Sequence, residues 1–289
     1  MLLKRIITAS ILAALIATAV FTLPSGYFSL LLAILTLAAA WEWLYLIDVQ
    51  SIVKRLLFLL ALVVPMVGLH LWTQFLELLA QWTNWPDIRF YSGVIEWLVI
   101  PPILFWIVAM ICIRNLPHTV LKLQLRLRYK ALIGWFILLA CWMFLSRLRA
   151  FYEPPMTMYF LILIWVADIS AYFVGKKYGK TKLAPDISPG KTVEGFYGAL
   201  AAALVCAIAL SLIYGFNYVF AADFALLSVL TVLISVYGDL FFSVVKRQRG
   251  VKDSGTILPG HGGILDRVDS IIAAIPLFYA GIYLIYGLI

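Results

Sequence analysis

Nine long apolar runs divide the chain and leave few ways in which it can fold. They lie at about 5–23, 27–48, 56–80, 93–113, 131–149, 156–174, 195–215, 222–241 and 271–288. A helix of about 20 apolar residues crosses a hydrocarbon core of roughly 30 Å. Because the runs are continuously apolar and do not alternate, they favour helices over a membrane β-barrel. We therefore expect an all-α, polytopic integral membrane protein with about nine transmembrane helices.

The composition excludes a soluble globular protein. Of the 289 residues, 64% are hydrophobic and only 12% are charged, whereas soluble domains carry about 25% charged residues. Cys112, Cys141 and Cys206 fall in or beside apolar runs without paired spacing. We therefore interpret them as small core side chains and not as members of a disulfide or zinc framework.

The distribution of lysine and arginine predicts the orientation. With a cytoplasmic N-terminus and alternating spans, 19 of the 22 basic residues lie on the cytoplasmic side, and only Arg89, Arg147 and Arg149 lie outside. The positive-inside rule thus selects a cytoplasmic N-terminus in the cell (inner) membrane. Because this bias explains the net charge of +8, we do not expect nucleic acid as a partner.

Charge is concentrated in the stretch from Asp239 to Ser270, where nine of 32 residues are Asp, Lys or Arg. Asp239, Ser243, Lys246 and Arg247 follow the spacing i, i+4, i+7 and i+8, which places them on one helical face. A carboxylate at mid-helix in a membrane costs roughly 2.5–3.5 kcal/mol. Such a residue therefore indicates function, and an enzyme site is one interpretation. The alternative is an ion or solute transporter with Asp168 and Asp239 on its pathway.

Two other polar loops are predicted on the cytoplasmic side. In the loop from Gly175 to Glu194, the residues Ser188–Thr192 predict a compact turn at the start of the next span, where a helix N-terminus and Lys191 suit phosphate. In the loop from Arg114 to Lys130, the alternating sequence LKLQLRLRYK favours a short strand or an interfacial segment over a helix. Its cations predict an anchor on anionic lipid or, as the second interpretation, phosphate steering.

The carboxylates of the last third predict a metal-assisted reaction. If the last two spans pack as a hairpin, Asp239 and Asp266 could converge, and Asp269 shares a helical face with Asp266. Carboxylates beside phosphate-binding cations suit Mg²⁺, which takes hard oxygen ligands. Together these groups indicate phosphoryl or nucleotidyl transfer at the cytoplasmic membrane face.

A motif of 27 residues adds a family resemblance. Residues 243–269 read SVVKRQRGVKDSGTILPGHGGILDRVD. They match every specified position of S-x-x-K-R-x4-K-D-x-G-x2-L-P-x-H-G-G-x2-D-R-x-D, the signature of the phosphatidate cytidylyltransferase (CDP-diacylglycerol synthase) family. DISAYFVGKKYGK at 168–180 and SPGKTVEG at 188–195 also resemble this family. The resemblance covers about the last 125 residues.

The resemblance implies an activity, its partners and its site residues. CTP and phosphatidate would react in the presence of Mg²⁺ to give CDP-diacylglycerol and pyrophosphate. Two further points stay open: a second bound ion, K⁺ or Mg²⁺, and a homodimer. Residues 1–289 would form one membrane domain, with N-terminal helices of unassigned role at 1–155 and catalytic helices and cytoplasmic loops at 156–289. The implied metal ligands are Asp239, Asp266 and Asp269. The implied catalytic residues are these three with Lys246, Arg247, Lys252, Asp253, His261 and Arg267. The implied substrate-binding residues are Asp168, Lys180, Ser188, Lys191, Thr192, Ser243, Gly262 and Gly263.

Overall fold

The computed structural model describes residues 2–84, 93–256 and 262–287, and long helices dominate it. They are α1 (Leu2–Thr22), α2 (Ser25–Leu46), α3 (Ile52–Thr83), α4 (Ile100–Asn115), α6 (Leu127–Phe151), α7 (Glu153–Tyr178), α8 (Val193–Tyr214), α9 (Tyr218–Arg249) and α10 (Leu265–Gly287). A one-turn helix, Gly93–Glu96, and a 3-10 turn, Trp97–Val99, lead into α4, and a short helix α5 covers Pro117–Lys122. Within the described residues, eight helices are long and apolar enough to cross a membrane. The helix α1 has 21 residues and a shorter apolar part, Ser10–Thr22. The expected all-α, multi-pass membrane architecture is confirmed.

Local sequence signals explain several helix ends. The side chain of Asn217 accepts a hydrogen bond from the amide of Phe220 at the start of α9, as capping residues do. The helix α9 ends at Gly250, which has a φ of +77°. A left-handed residue at this position favours glycine.

The alternating segment between α4 and α6 is not a strand, so this part of the prediction is wrong. Residues Pro117–Lys122 form the helix α5, and the next four residues have no regular structure. The side chain of Gln248 on α9 donates to the carbonyl oxygens of Val120 and Leu123. Tertiary contacts with α9 therefore override the local alternation.

A small antiparallel hairpin replaces the predicted compact turn before α8. The strand β1 (Lys182–Ala184) pairs with β2 (Ser188–Thr192). The predicted turn residues thus lie in a strand, because their backbone groups find partners in β1. The strand still leads directly into α8, as the sequence predicts.

Close packing of small residues brings the last helices together. A side chain at Gly238 on α9 would collide with Ala273 on α10, and α9 and α10 pack extensively against each other. On the other side, a Cβ at Gly195 on α8 would lie 2.6 Å from the carbonyl oxygen of Ala171 on α7. Without side chains at these positions, the helix backbones approach closely enough to place polar groups of α7–α10 around one space.

Contacts at the helix ends show that α6 runs opposite to α2 and in the same direction as α1. At one end, the indole of Trp43 near the end of α2 donates to the carbonyl oxygen of Lys130 near the start of α6. At the other end, Arg149 near the end of α6 donates to the carbonyl oxygens of Val20, in the last turn of α1, and of Leu23, which follows α1. The helices α6 and α10 are the most buried spans, and α3 is the least buried. The core therefore centres on α6 and α10, and α3 lies at the periphery.

Candidate active site

A cavity of about 870 Å³ lies where α7 and α9 end and where α8 and α10 begin; we call this side of the bundle the cavity end. It brings together 13 of the 17 predicted site residues: Asp168, Ser188, Lys191, Thr192, Asp239, Ser243, Lys246, Arg247, Lys252, Asp253, Asp266, Arg267 and Asp269. The predicted helical face of α9 is confirmed, because its four residues all line the cavity. Lys180, Gly262 and Gly263 are outside the lining, and His261 lies outside the described residues.

Two lysine–aspartate ion pairs cross the cavity between elements. Lys191 Nζ on β2 lies 2.7 Å from Asp239 Oδ2 on α9. Lys246 Nζ on α9 lies 2.7 Å from Asp266 Oδ1 on α10. Asp239 and Asp266 therefore line one cavity, as expected if the last two spans pack against each other, but each carboxylate has its own lysine partner.

Asp266 also organises the loop that precedes α10. Its Oδ2 accepts hydrogen bonds from the backbone amides of Ser254, at 2.8 Å, and Gly263, at 3.1 Å. Gly262 has a φ of +81°, and a Cβ there would lie 2.9 Å from Asp266 Oδ2. Only glycine suits this conformation and this close approach. In this structure Gly262 and Gly263 therefore shape the loop around Asp266 and are not part of the cavity wall.

A second group of carboxylates lies deeper in the helices. Asp269 on α10 is 8% exposed, and it lines the cavity together with Asp239 and Asp168. Asp239 Oδ1 also accepts a hydrogen bond from the hydroxyl of Ser243, one turn along α9. The carboxylates of Asp168, Asp239 and Asp269 thus share one region of the cavity. Oxygen groups of this kind suit a hard cation.

Basic side chains outnumber acidic ones in the lining. Seven Lys and Arg residues face five Asp residues, and Lys176 and Lys182 belong to the basic set although the sequence did not single them out as site residues. Arg247 donates to the carbonyl oxygens of Ile187 and Val251, so it joins the hairpin to the end of α9. The start of α8 adds a partial positive charge. The cavity is therefore suited to polyanionic ligands.

The hairpin is held by the cap of α8. The side-chain oxygen of Thr192 accepts a hydrogen bond from the amide of Gly195, and Gly175 and Gly179 on the α7 side pack against the same threonine. The cap places Lys191, the preceding residue, beside Asp239. Thr192 thus has a structural role that its predicted substrate contact did not include.

Glu42 is the residue near this site whose role the sequence left open. It is 3% exposed, and its carboxylate accepts hydrogen bonds from Ser254 Oγ and from the amides of Ile264 and Leu265. The available signal was a carboxylate in a span, between Trp41 and Trp43, near the end of that span that the sequence predicts to be cytoplasmic. That signal could not name partners more than 200 positions away in the chain.

Comparisons with known proteins cover nearly the whole chain. The profile of the cytidylyltransferase family matches residues 3–285. The phosphatidate cytidylyltransferase of Haemophilus influenzae is 34% identical over 295 residues, which cover 96% of this chain and 97% of the relative. That of Pseudomonas aeruginosa is 37% identical over 281 residues, with 97% and 96% covered. That of Bacillus subtilis is 48% identical over 124 residues, with 42% and 45% covered. The chain therefore belongs to the cytidylyltransferase family, and it is a nucleotidyltransferase.

Proposed function

We propose that this protein transfers the cytidylyl group of CTP to phosphatidate and forms CDP-diacylglycerol and pyrophosphate. The observation that carries this proposal is the cavity at one end of the helix bundle, in which seven basic and five acidic residues meet. Relatives that align with nearly the full chain are named phosphatidate cytidylyltransferases. A site at the end of membrane helices suits a lipid phosphate and a water-soluble nucleotide together.

The chemistry is an in-line displacement at phosphorus. A phosphate oxygen of phosphatidate attacks the α-phosphorus of CTP, one P–O bond forms, and the bond from the α-phosphorus to the bridging oxygen breaks. The electron pair of that bond leaves with pyrophosphate. Because the attacking phosphate is already ionised, the reaction does not need a general base. His261 would then shape the loop or contact phosphate.

The cations of the cavity have a defined task in this reaction. Negative charge shifts onto the bridging oxygen as the bond breaks, and positive groups placed beforehand stabilise this shift. Lys246, Arg247, Lys252 and Arg267 would hold phosphate groups of CTP or phosphatidate. Lys191 lies beside Asp239 and would exchange this partner for a phosphate when substrate binds.

The carboxylates fit Mg²⁺ in the chemistry of their oxygens. Within the part of the chain that the structure describes, no three Asp, Glu, His or Cys side chains form a preassembled metal site. Mg²⁺ commonly binds one or two carboxylates and completes its shell with water and substrate phosphate. Asp239 and Asp269 would hold the ion, with Asp266 in support, because two backbone amides and Lys246 fix Asp266, whereas the side chains of Lys191 and Ser243 bind Asp239. Bound Mg²⁺ would neutralise phosphate charge, and a second ion, K⁺ or Mg²⁺, stays a prediction.

The cavity end would face the cytoplasm of the cell (inner) membrane. Support comes from the basic loops, since this orientation places 19 of the 22 Lys and Arg residues inside. CTP would then reach the cavity directly from the cytoplasm. Nothing in the described residues favours the transporter alternative over this reaction, and a homodimer stays a prediction.

The test is an assay of the purified full-length protein in detergent micelles with labelled CTP, phosphatidate and Mg²⁺. We expect labelled CDP-diacylglycerol and equimolar pyrophosphate, with loss of both after EDTA and recovery after added Mg²⁺. A matched reaction with diacylglycerol in place of phosphatidate should give no labelled lipid, because it lacks the attacking phosphate. Folded protein that forms no CDP-lipid with any divalent cation would reject the proposal.

A further inference from the structure

We propose that Glu42 on α2 is a positioning residue that holds the loop before α10 and so sets the place of Asp266 in the cavity. The inference rests on the proposed function, and it assigns a task to the N-terminal half of the chain. Glu42 is outside the cavity lining. It would therefore act through the loop and not on the reacting atoms.

The carboxylate of Glu42 contacts the loop at two separated places. Its Oε2 accepts hydrogen bonds of 2.8 Å from Ser254 Oγ and from the amide of Leu265. Its Oε1 accepts a hydrogen bond of 3.0 Å from the amide of Ile264. Ser254 precedes residues 257–261, and Ile264 and Leu265 follow them. One side chain thus ties together both ends of the loop.

Burial makes these hydrogen bonds important. Glu42 is 3% exposed, and no ion pair among the described residues includes it. Its charge is instead stabilised by three donors and by the positive N-terminal end of α10. If the donors moved away from Glu42, its carboxylate would stay buried without hydrogen bonds, which costs free energy. The carboxylate therefore favours the positions that Ser254, Ile264 and Leu265 have in this structure.

The glycines of the loop fit against this carboxylate. A Cβ at Gly255 would lie 2.6 Å from Glu42 Oε1, and a Cβ at Gly263 would collide with Glu42 Oε2. Backbone without a side chain is therefore needed on both sides of Glu42. The glycines at these two positions of the 27-residue motif are explained by their contact with α2.

The same loop residues connect Glu42 to the cavity. The hydroxyl of Ser254 donates a hydrogen bond to Glu42, and its backbone amide donates one to Asp266. Gly263 packs on Glu42 and gives its amide to Asp266. Asp266 in turn pairs with Lys246. A shift of the loop would thus move Asp266 and Lys246 together, although neither touches Glu42 in the contacts described above.

The experiment compares full-length wild type, Glu42→Ala, Glu42→Gln and Thr36→Val. Thr36 is also buried on α2, but its hydroxyl bonds within the helix to Leu32, so Thr36→Val is the matched control. We expect Glu42→Ala to lower kcat by roughly tenfold or more, with smaller changes in KM, measured well below the melting temperature. Glu42→Gln should fall between wild type and Glu42→Ala, because it keeps one acceptor oxygen. Thr36→Val should keep wild-type kcat.

Hydrogen–deuterium exchange gives a readout that is independent of activity. In Glu42→Ala we expect faster exchange in peptides that contain the amides of Ser254, Gly263, Ile264 and Leu265, with unchanged exchange in α7. If Glu42→Ala does not fold, Ser254→Ala replaces it, because it removes one donor without exposing the carboxylate. Unchanged exchange in the loop or a kcat within twofold of wild type would overturn the inference. An inactive wild type would instead reject the proposed function.

Discussion

At the scale of single residues, the two ion pairs of the cavity differ in their exposure and in their other hydrogen bonds. Lys191 and Asp239 have side chains 24% and 31% exposed, and a partly exposed pair of this kind contributes about 0–1 kcal/mol to stability. Lys246 and Asp266 are more buried, and Asp266 also accepts two backbone amides. Asp239 is therefore available to a ligand at little structural cost, whereas Asp266 has a structural role as well.

Because Asp239 contributes less to the structure than Asp266, a substitution at Asp239 tests the site with less effect on stability. We expect Asp239→Asn to lower turnover by about 100-fold or more, the loss that follows when one electrostatic group is removed from an active site. The melting temperature should stay within about 2 °C of wild type, since the ion pair contributes little stability. Turnover and thermal unfolding in detergent measure the two effects.

The matched control for this substitution is Asp186→Asn. Asp186 is an exposed carboxylate of the hairpin loop whose partner is His118, at 3.5 Å, and it does not line the cavity. It should keep wild-type turnover. If Asp239→Asn also keeps turnover within a few-fold of wild type, Asp239 has no place in the proposed metal site.

At the scale of elements, the hairpin and α8 form one unit through Thr192. The strand β2 ends at this residue, and its hydroxyl caps α8. The sequence predicted a phosphate-binding turn at these positions. The structure instead has an extended strand that presents Lys191 from the hairpin to α9.

We expect Thr192→Val to lower the free energy of unfolding by about 1 kcal/mol, the usual effect of losing an N-cap, and to lower turnover several-fold as Lys191 loses its fixed position. Thr192→Ser should keep the cap and most of the activity. Thermal unfolding and turnover of both variants measure this.

A cap at the other end of the bundle separates stability from function in this test. Asn217 caps α9 in the same way, and it does not line the cavity. Asn217→Ala should therefore destabilise the protein by a similar amount and leave turnover unchanged. Equal losses of turnover in Asn217→Ala and Thr192→Val would argue against a specific role for the hairpin.

At the scale of the whole molecule, a buried polar cluster holds the end opposite the cavity. Arg147 on α6 forms an ion pair with Glu96, which precedes α4, and donates from Nε to the hydroxyl of Tyr279 on α10 over 3.4 Å. Both charged side chains are 9% exposed. The cluster joins three parts of the bundle, and each charge depends on the other.

We expect Arg147→Met to destabilise the protein by about 3–5 kcal/mol, because it leaves the carboxylate of Glu96 buried without a cation. The double variant Arg147→Met with Glu96→Gln should recover part of this loss. The exposed Arg128 provides the control Arg128→Met, which should unfold like wild type. Equal stability of the single and double variants in thermal unfolding would contradict this account.

The orientation of the bundle gives the last prediction. In a cysteine-free background, Lys180→Cys should react with an impermeant maleimide only after cells are opened, whereas Asn84→Cys at the end of α3 should react in intact cells. The reason is that Lys180 lies beside the basic cavity end and Asn84 follows α3 at the opposite end. Labelling of Lys180→Cys in intact cells would reverse the proposed topology.

The long elements, their type and the chemistry of the motif follow from the amino-acid sequence. Long apolar runs can satisfy their backbone groups in a membrane only as helices, and each of the nine runs corresponds to a long helix among the described residues. The helical face of Asp239, Ser243, Lys246 and Arg247 follows from local geometry alone. The residues of the motif therefore could be named before their positions in space were known.

Which of these groups contact each other depends on the packing of the folded chain. The pairing of Lys191 with Asp239 depends on how a hairpin folds against α9. The contact of Glu42 with Leu265 joins residues 223 positions apart. The alternating segment before α6 is not a strand, and Gln248 on α9 donates to the carbonyl oxygens of Val120 and Leu123 there. Local sequence patterns indicate hydrophobicity and helical spacing. Contacts across the bundle depend on how helices that are distant in sequence pack together, and a short stretch of sequence carries no information about that packing.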